Sequence, residues 1–193
     1  MRTVTYGAAC SLDGFITGKN EDIGWLHYSP DVQAITRDYW KSVDTILMGR
    51  KTWDFAVRMA GGGAGSGSSK IRSYVFSRTL KTIDAKGVEL VSDDAGAFVQ
   101  GLKARPGKGI CVMGGGELAA SLFAAGVIDE VGVNVHPVLL GTGVPLFLDA
   151  GCRTQLELLQ SRVIDGGCVY LSSEARALIS WSRALGNDGG PQP

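Results

Sequence analysis

The sequence predicts an α/β protein: a mixed, mainly parallel eight-stranded sheet with helices on both faces and an antiparallel hairpin at its end. Three observations carry this expectation. Short apolar, β-rich runs alternate with helical stretches along most of the chain, the pattern of strand–helix–strand units. Several runs, such as ICVM at 110–113, are apolar at every position rather than at alternate ones, as strands covered on both faces require. The last two runs, LELLQSRVI and CVYLSS, are joined only by Asp165, Gly166 and Gly167, which is hairpin chemistry and demands an antiparallel pair.

The predicted strands are, in order, Thr3 to Cys10, Thr45 to Met48, Ser73 to Ser77, Val88 to Val91, Ile110 to Met113, Glu130 to Leu139, Leu156 to Ile164 and Cys168 to Ser172. Helices are expected over Pro30 to Ser42, Lys51 to Met59, Asp93 to Lys103, Glu117 to Ala125 and, late in the chain, Glu174 to Ala184. The first has clear start chemistry: Ser29 can accept a first-turn N–H, and Pro30 pre-sets φ at the first helical position. Gly126 follows the Ala-rich helix where a left-handed C-cap is expected. The run GGGAGSGSS, Gly61 to Ser69, has nothing to bury and predicts a flexible loop, and residues 187–193 predict a frayed tail. Neither stretch separates halves that could each close a core, so residues 1–186 are expected to form one domain.

Composition removes several classes of function. Nineteen Lys plus Arg balance nineteen Asp plus Glu, so no general field draws the chain to nucleic acid or to an acidic membrane surface. No apolar run reaches the roughly 18 residues of a membrane helix, and MRTVTYGAACSLDG lacks the apolar stretch of a signal peptide, so the expectation is a cytoplasmic protein. Cys10, Cys111, Cys152 and Cys168 form no C-x-x-C pair and read as reduced thiols rather than metal ligands. His27 and His136 stand alone, and each reads as an ordinary surface or core imidazole. No metal is expected.

Three places could hold an anion. In ICVMGGGELAASLF a buried strand runs through Met113 into Gly114, Gly115 and Gly116, and a helix begins at Glu117 and Leu118. Backbone N–H groups and the positive helix end converge there without side chains in the way, which suits a pyrophosphate; a plain tight turn is the competing reading. In DTILMGRKTWDF, Gly49 allows close approach, and Arg50, Lys51 and Thr52 open a helix. In YVFSRTL, Ser77 and Arg78 leave the end of another strand. Together, three such sites at strand carboxyl ends suggest an extended nucleotide with several phosphates.

These residues resemble a known family. MGRKTW, the SR of YVFSRTL and the strand followed by GGG look like the cofactor site of dihydrofolate reductases. CSLDGFITG, GELAASLFAAGVIDEV and HPVLLGTGVPLF are closer still to the dihydrofolate-reductase-like domain of riboflavin biosynthesis, the RibD C-terminal group. The resemblance spans about residues 3–172. It implies a dihydrofolate-reductase-like fold and an NADPH-dependent reductase acting on a small pterin- or pyrimidine-like heterocycle, as 5-amino-6-(5-phosphoribosylamino)uracil reductase does. Dihydrofolate reduction, or a non-catalytic module that binds NADPH or another ligand, are the alternatives.

Position by position, the resemblance gives the cofactor phosphates to Gly49, Arg50, Lys51 and Thr52, and the adenosine ribose with its 2′-phosphate to Ser77 and Arg78. Met113, Gly114 to Gly116, Glu117 and Leu118 would meet the pyrophosphate and the nicotinamide side, with a cis peptide between Gly114 and Gly115. Ala9 and Ile16 would cover the nicotinamide. On the substrate side it gives Asp31, following Trp25, as the carboxylate that anchors and helps protonate the ring; a helix-dipole acid is the competing reading, with Asp38 as a spare. Asp13 of SLDG reads as a turn residue or a substrate contact, and Asn134 as a pocket residue or a sheet-end cap. Trp40, Trp53 and Trp181 read as core or interface aromatics. A homodimer is implied as well.

Overall fold

A computed structural model describes residues 1–60 and 71–176. Its elements are β1 (Val4–Ser11), β2 (Phe15–Thr17), α1 (Pro30–Lys41), β3 (Val43–Gly49), α2 (Arg50–Met59), β4 (Arg72–Phe76), β5 (Val88–Val91), α3 (Ala95–Lys103), β6 (Gly109–Gly114), α4 (Gly116–Ala124), β7 (Glu130–His136), β8 (Val144–Pro145), β9 (Gln155–Ile164) and β10 (Cys168–Arg176). Eight strands form one sheet in the order β5-β4-β3-β6-β1-β7-β10-β9. Neighbours from β5 to β7 are parallel, while β10 runs antiparallel to both β7 and β9. These are the eight strands expected from the sequence.

Each central strand feeds two cores because its side chains alternate. Leu47, Ile110 and Val112 point to the face covered by α3 and α4, where Val99, Leu102, Leu118 and Leu122 pack. Ile46, Met48 and Cys111 point to the opposite face, against Trp53 of α2 and Tyr39 and Trp40 of α1. The helix-cap expectations hold: Ser29 Oγ accepts from Val32 N at 3.3 Å, and Gly126 follows α4 with φ +63°.

The amino ends of the strands are closed by paired charges. Buried Lys103 donates to both oxygens of Asp129 at 2.6 and 2.7 Å, and Arg2 pairs with Asp44 and donates to Thr45 Oγ1 at 2.6 Å. A hollow of about 310 Å³ there is lined by Arg2, Lys103, Asp129 and Glu130. Among the described residues, the ion pairs at the carboxyl ends, Arg50–Asp54 and Lys51–Glu117, are exposed.

Several expectations need correction. The late helix from Glu174 does not begin there: Glu174, Ala175 and Arg176 continue β10 and pair with Glu157, Leu156 and Gln155 of β9. A Glu-Ala-Arg run favours helix locally, but ten residues of β9 offer a ladder that local propensity cannot outweigh. The rest of that helix, Trp181, the Gly61 to Ser69 loop and the 187–193 tail lie outside the described residues. Strand β7 stops at His136 rather than Leu139, since Pro137 has no N–H to donate to a ladder. The pair β2–β8, three and two residues long, was not anticipated; segments so short show no period.

Candidate active site

Adjacent strand order brings the three predicted anion segments to one rim. Gly49 pairs with Phe76, so Ser77 leaves β4 beside the start of α2, and Met48 pairs with Gly114 at the end of β6. The two helix starts touch: a Cβ on Gly49 would lie 3.2 Å from Gly115 N, and Cβ atoms on Gly114 and Gly115 would lie 3.3 and 3.2 Å from Thr52 Oγ1. The Gly114–Gly115 peptide is cis.

Capping separates these two helices from the others. Ser29 and Asp94 close the starts of α1 and α3 with side-chain acceptors. Helices α2 and α4 begin at Gly49 and Gly115 with no side-chain cap, so their first-turn N–H groups face the rim without a side-chain acceptor. Cations stand beside them. Arg50 donates from Nη1 to Thr79 Oγ1 at 3.0 Å, with its Nε 3.4 Å from Asp54, and Lys51 Nζ lies 3.1 Å from Glu117 Oε1. Both ion pairs are exposed and hold their partners weakly, leaving the cations available to an anion. Ser77 Oγ accepts from the amides of Thr79 and Leu80, at 3.2 and 3.0 Å, in a turn that leaves Arg78 exposed. Uncapped amides, glycines and cations in one place fit the phosphates of a dinucleotide. Leu118 is buried in the core beneath Gly49 and reaches the rim only through packing.

Beside the rim, between α1 and the sheet, lies a cavity of about 320 Å³. Alternation explains it: Gly7 and Ala9 of β1 and Gly132 of β7 face α1 with side chains too small to reach it. Helix α1 therefore has no fully buried residue, although Val32, Ile35 and Tyr39 line the hollow. Met113 lines it too and is bonded directly to Gly114, so the cavity adjoins the glycine turn. Burial pushes the Tyr39 hydroxyl above its ordinary range and the Cys111 thiol up to about 11. Both stay neutral at pH 7. The lining is largely apolar, yet Asn134 Oδ1 and His136 Nε2 are buried there with no hydrogen-bond partner among the described residues. Trp25 packs edge-on to the His136 ring, centroids 5.2 Å apart, and donates from Nε1 to Asp22 O at 3.2 Å.

Other predicted residues sit elsewhere. Asp31 is not buried: its side chain is 33% exposed and its carboxylate accepts from Arg162 Nη2 at 3.0 Å and Asp165 N at 3.4 Å. It adjoins the lining through its neighbour Val32 and through Ile164, next to Asp165. Asp38 is exposed and paired with Lys41 at 2.7 Å. Asp13 fastens a turn, accepting from Ser11 Oγ at 2.6 Å, Gly141 N at 2.7 Å and Leu140 N at 3.2 Å. The Ser11 hydroxyl foremost, with those amides, holds its carboxyl below the usual range. Ile16, on β2, packs against the main core, and Ala9 lines the cavity. Sequence reasoning missed the place of His136 in the cavity. The signal was there: Gly132, Asn134 and His136 alternate in VGVNVHP, which puts all three on one face. Among the described residues no group of three or more His, Cys, Asp or Glu could hold a metal, and no helix is long and apolar enough to cross a membrane.

The fold is dihydrofolate-reductase-like: dihydrofolate reductase from Enterococcus faecalis, complexed with NADP(H), superposes with a TM-score of 0.63 at 13% identity, over 91% of this chain and 97% of that one. Within that fold, the chain belongs to the RibD C-terminal domain family, whose pattern matches residues 2–170. It is 34% identical over 178 residues to the uncharacterized protein YyaP of Bacillus subtilis (strain 168), covering 88% of this chain and 93% of that one. A Shewanella sp. PV-4 protein named for riboflavin biosynthesis superposes with a TM-score of 0.77 at 25% identity, over 91% of this chain and 99% of that one.

Proposed function

We propose that the chain is an NADPH-dependent oxidoreductase that passes hydride to a small pterin- or pyrimidine-like heterocycle, in the manner of 5-amino-6-(5-phosphoribosylamino)uracil reductase. The observation that carries this reading is the contiguity of an uncapped, cationic rim with an apolar cavity, joined at Met113 and Gly114. Gly49, Arg50, Lys51 and Thr52 would hold the cofactor phosphates, Ser77 and Arg78 the adenosine ribose and 2′-phosphate, and Gly114 to Gly116 with Glu117 the pyrophosphate. Leu118 supports that turn from below. Ala9, Met113 and Ile16 would flank the nicotinamide. When bound, NADPH supplies the hydride.

The chain supplies position and field. The apolar lining excludes water from the reacting ring. Trp25 and Asn134 border the ring, Asp13 keeps the adjoining turn in place, and Asp31, on the first turn of α1 and held by Arg162, would anchor an N–H of the substrate as a hydrogen-bond acceptor at the cavity mouth, the proton that follows the hydride coming from water there. Second copies of the chain would pair through β9, an edge strand whose Leu158 and Val163 are 59% and 75% exposed.

Titration with NADPH and NADH, followed by quenching of tryptophan fluorescence, tests the cofactor assignment. NADPH is expected to bind at least about tenfold tighter, because a bare hydroxyl leaves a guanidinium fork unpaired, and Arg50→Ala with Arg78→Ala should erase the preference. Equal affinity for the two would remove the role given to both arginines. Tight NADPH binding without oxidation in the presence of any pterin or pyrimidine would leave a binding module in place of the reductase.

A further inference from the structure

Asn134 and His136 are two residues apart on β7, and alternation aims both side chains into the cavity under α1. His136 is 2% exposed. Its Nδ1 lies 3.3 Å from the main-chain oxygen of Asn134, a group that can only accept. A neutral ring therefore keeps its proton on Nδ1 and turns the Nε2 lone pair toward the cavity. Trp25, edge-on to the ring, limits its rotation. Nε2 and Asn134 Oδ1 are then both acceptors, both buried, and both without a partner among the described residues. Such groups are costly to leave unpaired in an apolar wall. Tyr170, opposite Asn134 on β10, also lines the cavity, yet neither its hydroxyl nor any other described group is hydrogen-bonded to the two atoms.

We propose that Asn134 Oδ1 and His136 Nε2 form a paired acceptor edge that selects substrates carrying two hydrogen-bond donors, such as amino or ring N–H groups, on one side of a small planar ring. The inference rests on the reading of this cavity as the substrate site and narrows the substrate class. It assigns His136 a recognition role. It also gives specificity a physical source: a ligand with acceptors or methyl groups at those positions would leave both buried lone pairs unpaired, a penalty paid on binding.

The test compares 2,4-diaminopyrimidine with 2,4-dimethylpyrimidine, in which methyl groups of similar size replace the donors. Binding is read by quenching of tryptophan fluorescence, since Trp25 contacts His136 and Trp40 lines the cavity. The diamino compound is expected to bind at least about tenfold tighter. Asn134→Leu and His136→Phe, which keep shape and remove one acceptor each, should each erase most of that preference while thermal unfolding shows them folded. Equal binding of the two compounds to the unaltered protein overturns the proposal, as does a preference retained in both variants.

A second measurement needs no variant. Nitrogen-15 NMR of the histidine rings should show His136 protonated on Nδ1 alone, with the Nε2 resonance moving on addition of the diamino compound. A proton on Nε2 in the free protein would make that atom a donor and refute the pairing. NADPH enters neither measurement, so failure here leaves the hydride reading standing, and failure of the NADPH titration leaves the acceptor edge standing.

Discussion

Replacing Gly7 by alanine tests whether β1 and β7 are held at a spacing that only glycine permits. A Cβ at Gly7 would stand 2.2 Å from the carbonyl oxygen of Gly132 and 3.1 Å from its carbon. Both are backbone atoms in the parallel ladder that pairs these two residues, so no side-chain rotation relieves the clash; the strands must part or the ladder must bend. Overpacking a dense interior costs about 1–3 kcal/mol, and contact with fixed backbone places this change at the upper end. About 3 kcal/mol corresponds to a fall of roughly 6–12 °C in Tm for a chain of this length. Gly132 is the matched control, because a Cβ there meets nothing nearer than the Tyr170 hydroxyl at 3.6 Å, an ordinary contact. Gly132→Ala should stay within about 2 °C of the unaltered protein yet weaken binding of 2,4-diaminopyrimidine, because its methyl group enters the cavity. Thermal unfolding by circular dichroism decides the matter. A Gly7→Ala protein that melts within about 2 °C of the original, or a Gly132→Ala protein that loses as much, would refute the close-approach argument.

Acid should loosen the fold through two carboxylates. Asp13 is held low chiefly by the Ser11 hydroxyl; Asp44, although burial pushes its carboxyl up, is held low on balance by the Lys108 amide, Thr45 and Arg2. A depressed folded-state pKa contributes stability above the unfolded value and loses it as pH falls through the folded one, so urea stability should decline below about pH 4. The slope should be shallower in an Asp13→Asn, Asp44→Asn double variant, and an unchanged slope would contradict the assignment. Lys103→Met should cost about 2–3 kcal/mol in urea unfolding; that is less than a fully enclosed pair, because the Asp129 side chain is 39% exposed, and a loss under about 1 kcal/mol would show the pair to be dispensable. Ser29→Ala should cost about 1 kcal/mol by removing the cap of α1, measured by the same urea unfolding.

Much of the fold is legible because its signals are local. ICVMGGGELAA contains a buried strand, a glycine turn and a helix start in eleven consecutive residues, and the structure places β6 and α4 there. SP at 29–30 writes its own cap. Where local preference and long-range pairing disagree, the sequence misleads: Glu174 to Arg176 favours helix on its own but lies opposite β9. The site shows the same division. Gly49, Arg50 and Gly114 to Gly116 announce an affinity for anions through residue type alone. Asp31 looks like a buried acid until Arg162, 131 residues away, is found beside it.

The sequence by itself determined the eight strands of the main sheet to within a few residues, the starts of its four described helices and the chemistry of the rim, because each depends on residues within a few positions of one another. Only the tertiary structure decided that three anion-type segments share one rim, that α1 spans a hollow floored by Gly7, Ala9 and Gly132, and that Asn134 and His136 face into it unpaired. Strand order and the space left by absent side chains depend on partners distant in the chain, and no local pattern encodes those distances.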